Sequence, residues 1–149
     1  MIFDRTQNDV DTAIHLRNEK IKKFEILTNE EINTIERGTI TINTLNRIEN
    51  KQMELANLFS QLSINVNIEN KNWEQTQIFN EIEFQRILDN LNELVKSFYV
   101  YSNTPNVPKI SYHFEDINAI EKILFDLEDL YNKLLKSFVY CGTLYCGMR

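Results

Sequence analysis

Two cysteines offer the sharpest chemistry in this chain. They stand in Cys141-Gly142-Thr143-Leu144-Tyr145-Cys146-Gly147, with four residues between them. Two thiolates at that separation could supply half of a tetrahedral zinc site, the other half coming from His113 or from another chain. They could also close a small disulfide ring in an oxidising compartment, or stay free, with Cys141 packed as a small apolar residue. The spacing is wrong for a CxxC redox pair. His15 and His113 have no triad or metal partners at standard spacing, so both read as surface or hydrogen-bonded structural histidines. The expectation is no cofactor and no bound metal, with Cys141 and Cys146 the candidate ligands if one were held.

The other groups point away from catalysis. Adjacent carboxylates such as Glu30 and Glu31, or Glu128 and Asp129, diverge on a helix, and no pair stands out for general acid–base work. Glu121 and Glu128 flank a long apolar seam and are expected to pair at the surface with Lys122, Lys133 or Lys136, which stabilises little. The 3 glycines, Gly38, Gly142 and Gly147, are too scattered to cradle a phosphate. Gly38 and Gly142 read as helix C-caps. A formal net charge of -6 argues against a nucleic-acid partner. The one basic cluster, Lys20, Lys22 and Lys23, lies among Glu19 and Glu25 as a solvated face. The protein is expected not to be an enzyme.

The elements that would position these groups are helical. The length of 149 residues suits one domain, with 42% hydrophobic and 26% charged residues. Residues 1–62 read as an N-terminal helical module, 63–80 as a connector and 81–149 as a helical hairpin. The fold expected is all-α, a bundle of about four helices with a short extended connector near residues 63–72. Thr6 with Asp9 caps a first helix reaching about Phe24. Thr28 with Glu31 forms a capping box for a short helix that Gly38 ends. Thr39 or Thr41 caps the next, to about Leu62, with Gln52 a polar break in its seam. Ser63-Ile64-Asn65-Val66-Asn67-Ile68 alternates as an edge strand or extended connector would, and Trp73 is expected to lock it onto the helices. Asn80 with Glu83 opens a helix to about Tyr99, and the Pro105–Pro108 run breaks it.

The last helix is expected from an Asp116 cap to about Tyr140. Its positions Ile117, Ile120, Leu124, Leu127, Tyr131, Leu134 and Phe138 keep an a/d repeat. Ile123, Leu130 and Leu135 widen the stripe beyond one partner helix. Leu124, Leu127, Tyr131, Leu134 and Phe138 are therefore the packing candidates. Phe98, Tyr99 and Tyr101, with Tyr112 and Phe114, bracket the proline loop as a plug over the core or as an anchor for a partner. No stretch is long and apolar enough to span a membrane, and Met1-Ile2-Phe3-Asp4-Arg5 has no signal-peptide character. The abundance of Asn and Ile fits a low-GC coding sequence.

The opening Phe3-Asp4-Arg5-Thr6-Gln7-Asn8-Asp9-Val10 resembles the "aromatic-Asp-Arg-Thr-x-x-Asp-Val" start of a small helical module. That module recurs in tail, baseplate and fibre-associated proteins of phages of low-GC Gram-positive bacteria. The likeness continues through Leu27-Thr28 with Glu31, Gly38, and Thr41-Ile42-Asn43-Thr44-Leu45-Asn46-Arg47-Ile48-Glu49. It departs where Phe3 replaces Trp, Ile42 replaces Tyr and Thr44 replaces Asp, and it covers about residues 3–62. Asp4 or Asp9 is expected to pair with Arg47. The resemblance implies a virion structural protein of the tail, assembled in the host cytoplasm. Its partners would be other tail, baseplate or fibre proteins and copies of itself. A homo-oligomer follows, a trimer being the form fibre-linked parts often take. The alternative is a cytosolic helical adaptor or tail-assembly factor absent from the finished particle.

Overall fold

The computed structural model describes residues 1–109 and 113–146, with side chains through Phe138. Among them the chain is all-helical, with five α-helices and no strand: α1 (Gln7–Glu19), α2 (Asn29–Gly38), α3 (Ile42–Gln61), α4 (Glu81–Ser97) and α5 (Phe114–Cys146). None is long and apolar enough to cross a membrane.

Local chemistry sets most of these bounds. Thr6 and Asp9 form a full capping box at α1, as do Thr28 and Glu31 at α2. Thr41, not Thr39, caps α3, accepting from the Thr44 amide at 3.2 Å. The Thr39 hydroxyl instead donates back to the Ile35 carbonyl. α1 stops before Phe24. A 3-10 turn at Ile21–Lys23 leads to Phe24 at φ 57°, in the left-handed region. Only Ala13 of α1 is buried, so no apolar stripe holds the helix straight any further. α5 starts earlier than expected. Asp116 is not the cap but the third helical residue, reaching back to the His113 amide at 3.2 Å. α5 also runs through Gly142 to Cys146. A glycine inside a helix costs about 1 kcal/mol and does not by itself end one.

Gly38 is likewise no left-handed cap, because no glycine among the described residues has positive φ. It is the last residue of α2, and a Cβ there would lie 2.1 Å from the Asp9 carbonyl oxygen and 2.5 Å from the Ala13 Cβ. Glycine at 38 is what lets α1 and α2 close into a hairpin.

The core lies among α3, α4 and α5. It is built from Leu45, Ile48, Leu55 and Phe59, from Phe84, Ile87, Leu91 and Leu94, and from Ile117, Ile120, Leu124, Leu127 and Tyr131. Burying each Leu or Ile stabilises by about 1.5–3 kcal/mol. The three helices run in the same direction. Arg47 meets Glu121 near the start of α3, and Gln61 meets Tyr131 at its end. Gln52 meets Ile87, and Phe59 stacks on Phe98. α4 and α5 are therefore joined by a crossover, not by the expected hairpin turn.

Parallel helices need return segments, and the connector at 63–80 is one. Ile64, Val66 and Ile68 rest on the core while Ser63, Asn65 and Asn67 face solvent. The two-residue period is present without a strand partner. Trp73 is buried at the end of this run. Its backbone is clasped by the Asn46 amide, and its Nε1 donates to Glu49 Oε1 at 2.8 Å.

Candidate functional site

The polar groups brought together in this structure join elements. Glu121 is fully buried on α5. Its Oε2 accepts from Arg5 Nη1 at 2.7 Å and from the Ile2 amide at 2.9 Å, and its Oε1 accepts from Arg47 Nε at 2.8 Å. Asn118 adds a bond to the Arg5 carbonyl at 2.9 Å. One carboxylate thus ties the N-terminal segment, α3 and α5 together. The expected surface pairing of Glu121 with Lys122, Lys133 or Lys136 is overturned, because the residue sits on the seam, four after Ile117 and three before Leu124.

The expected pairing of Asp4 or Asp9 with Arg47 is overturned as well. Both acids pair with Arg37 instead, at 3.3 and 3.2 Å. Arg37 lies beside Gly38, where α2 touches α1, whereas Arg47 is committed to Glu121. The Thr6 hydroxyl and amide, then Arg37, hold the Asp9 carboxyl below its usual range. Glu128 pairs with Lys51 at 3.1 Å.

A second buried centre joins α3, α4 and the connector. Glu49 accepts from Trp73 Nε1, from Arg86 and from the Lys71 amide. Nearby, Gln52 donates to the Ile87 carbonyl at 2.8 Å, and Asn90 bonds both the amide and the carbonyl of Glu69. Sequence reasoning treated Gln52 as a seam break, took Glu121 for a surface residue, and assigned no buried role to Glu49 or Asn90. The available signal was their seam spacing, since polar residues at core positions of amphipathic helices must find buried partners.

The aromatic cluster divides. Phe98 stacks on Phe59 with centroids 4.5 Å apart and plugs the core end. Tyr99 is 84% exposed. Tyr101 is half-buried, donating to Asp129 Oδ2 at 2.5 Å and receiving Lys133 Nζ at 2.7 Å. Lys133 and then Tyr101 lower the Asp129 carboxyl, and the same contacts raise the Lys133 ammonium. His113 is exposed, and Tyr112 lies outside the described residues. The side chains of Cys141 and Cys146 also lie outside them, and no cluster of three metal-ligating residues occurs among those described.

Of the seam candidates, Leu124, Leu127 and Tyr131 pack within the chain. Leu134 is half-buried and Phe138 is 59% exposed. These two, with Leu62, Phe98, Tyr99 and Leu130, line an apolar groove of about 370 Å³ where α3 and α4 end. At the far side of the hairpin, Phe24 and Ile26 are 95% and 94% exposed. The arrangement suits burial of apolar surface against another helix. Comparisons of the chain with protein-family models, with curated proteins and with solved structures find no match.

Proposed function

We propose that this chain is a non-enzymatic structural protein of a phage particle, a tail, baseplate or fibre-attachment component that works by packing helices against other tail proteins and copies of itself. The observation that carries the reading is what the resembling residues do. Arg5 and Arg47 meet on Glu121, Thr6 and Asp9 cap α1, and Asp4 and Asp9 hold Arg37. Gly38 admits the α1–α2 contact, and Thr41 caps α3. The motif spends its chemistry on joining elements, as a packing module requires.

The sequence expects a bundle of about four helices within the chain; α3, α4 and α5 fill the core, and the apolar groove past the ends of α3 and α4, along Leu134 and Phe138, would take a neighbour's helix. Quantitative mass spectrometry of purified particles tests the setting. The chain is expected at a fixed ratio to the other tail proteins. Finding it only in the lysate would support the assembly-factor alternative instead.

A further inference from the structure

The buried centre on Glu121 is one anion short. Two guanidiniums share its single carboxylate: Arg47 Nε and Nη2 both lie 2.8 Å from Oε1, and Arg5 Nη1 lies 2.7 Å from Oε2. An arginine does not shed its proton in a protein, so the centre keeps a net positive charge. Arg5 is only 5% exposed. Its Nη1 donates to the Ile2 carbonyl, to Asn118 Oδ1 and to Glu121 Oε2, whereas its buried Nη2 has no partner. A buried donor without an acceptor, on a group whose charge is not fully balanced, is costly unless an anion meets it.

Arg5 lies on the wall of a cavity of about 370 Å³ where the start of α1, the end of α2 and the start of α5 converge. Ile2, Asn118 and Glu121 take the Nη1 side of the guanidinium and are not on that wall. Nη2 is the donor left for the cavity. Val10, Ile40, Phe114 and Ile117 make much of the remaining wall apolar. The other polar side chains there are engaged: Arg37 by Asp4 and Asp9, the Thr39 hydroxyl by the Ile35 carbonyl, and Gln7 Nε2 by Asp11. The start of α5 adds a dipole that favours an anion. Asp116 already takes the His113 amide at that helix end, so the unpartnered Arg5 nitrogen carries the assignment.

We propose that this cavity binds a small organic carboxylate, its headgroup on Arg5 Nη2 and its apolar body against Val10, Ile40, Phe114 and Ile117. Three features set that chemistry. The deficit at the Glu121 centre is one charge, so a carboxylate completes two cations with two anions. A dianion such as phosphate would overshoot, with Asp4 and Asp9 close by on Arg37. The apolar wall rewards a ligand that brings apolar surface, which an inorganic anion lacks. The volume is near the lower end of the roughly 300–1,000 Å³ of ligand sites, which suits a small acid. Binding would draw the N-terminal segment, α2 and α5 onto one ligand. The site goes beyond the packing role and does not depend on a phage setting.

The test uses the full chain in a carboxylate-free buffer, with benzoate as the probe. Isothermal titration calorimetry is expected to show one site that takes benzoate at least about tenfold more tightly than its neutral isostere benzamide, or than inorganic phosphate. In NMR spectra the benzoate ring protons should give NOEs to the methyl groups of Val10, Ile40 and Ile117. Gln7→Glu, at an exposed first-turn position on the cavity wall, should weaken benzoate by about threefold or more and leave benzamide unchanged. Arg5→Met should abolish binding. Arg5 also ties the N-terminal segment to Glu121, so Gln7→Glu and the NOEs decide the matter if that variant does not fold. Absence of binding up to about 10 mM benzoate overturns the proposal. So do NOEs to methyl groups elsewhere, equal affinity for benzamide or phosphate, or indifference to Gln7→Glu.

Discussion

The N-terminal hairpin and the three-helix core are held by different physics. In the core, α3, α4 and α5 bury large side chains from every turn, and Phe59, Leu91 and Leu124 have no exposed surface. In the hairpin, α1 buries only Ala13 and α2 only Gly38, while Ile14, Ile21, Phe24, Ile26 and Ile32 face outward. What shapes the hairpin is a pair of capping boxes, the Arg37 ion pairs and one close backbone approach. What fastens it to the core is the Arg5–Glu121–Arg47 centre. Burial is non-directional and tolerates repacking, whereas caps and close contacts depend on single atoms. The core should fail by losing volume and the hairpin by losing geometry.

The sharpest way to break the core is Phe59→Ala. It removes the ring stacked on Phe98 and packed near Tyr131, and should cost about 3–5 kcal/mol in denaturant unfolding. Loss of α3–α5 packing would be felt through the whole chain. Gly38→Ala comes next, at about 1–3 kcal/mol. Its sign is the informative part, because alanine in place of helical glycine normally stabilises. Here the added Cβ has the Asp9 carbonyl in its way. Proteolysis should then cut the hairpin at concentrations of protease that leave α3–α5 intact, and a more resistant variant would refute the close approach.

The smallest expected effect is with pH. Asp9 is held below its usual carboxyl range chiefly by the Thr6 hydroxyl, and Glu31 chiefly by Lys20. A depressed folded-state pKa stabilises above the unfolded value, and that contribution is lost as the pH falls through the folded value. The hairpin should therefore loosen as pH drops below about 4. Glu83 and Asp129 are lowered too, but they sit on a core that burial supports. NMR resonances of Ala13 and Gly38 should shift or broaden in acid before those of Leu91 and Leu124. Simultaneous change in both sets would dissolve the distinction between the two regions.

Much of the local structure was legible from residue type. Both capping boxes, the Asn80 cap of α4, the alternating connector and the docked Trp73 follow from side-chain chemistry that acts within a few residues. The seam of α5 was legible for the same reason, since a repeat near 3.5 residues marks one face of a helix. The candidate packing surface was legible only as a list of apolar residues. Which of them the chain consumes itself, and which it leaves at Leu134, Phe138 and Tyr99, depends on where α3 and α4 end in space.

The sequence by itself determined that this protein is helical, where α1, α2 and α4 begin and which faces are apolar, because capping and periodicity are short-range. Only the tertiary structure decided that α3, α4 and α5 run parallel, that Arg47 serves Glu121 while Arg37 takes the aspartates, and that Gly38 is a contact point and not a cap. Those outcomes turn on pairs far apart in the chain, 74 residues for Arg47 and Glu121. A charged or small residue carries no local mark of the distant partner that gives it its role.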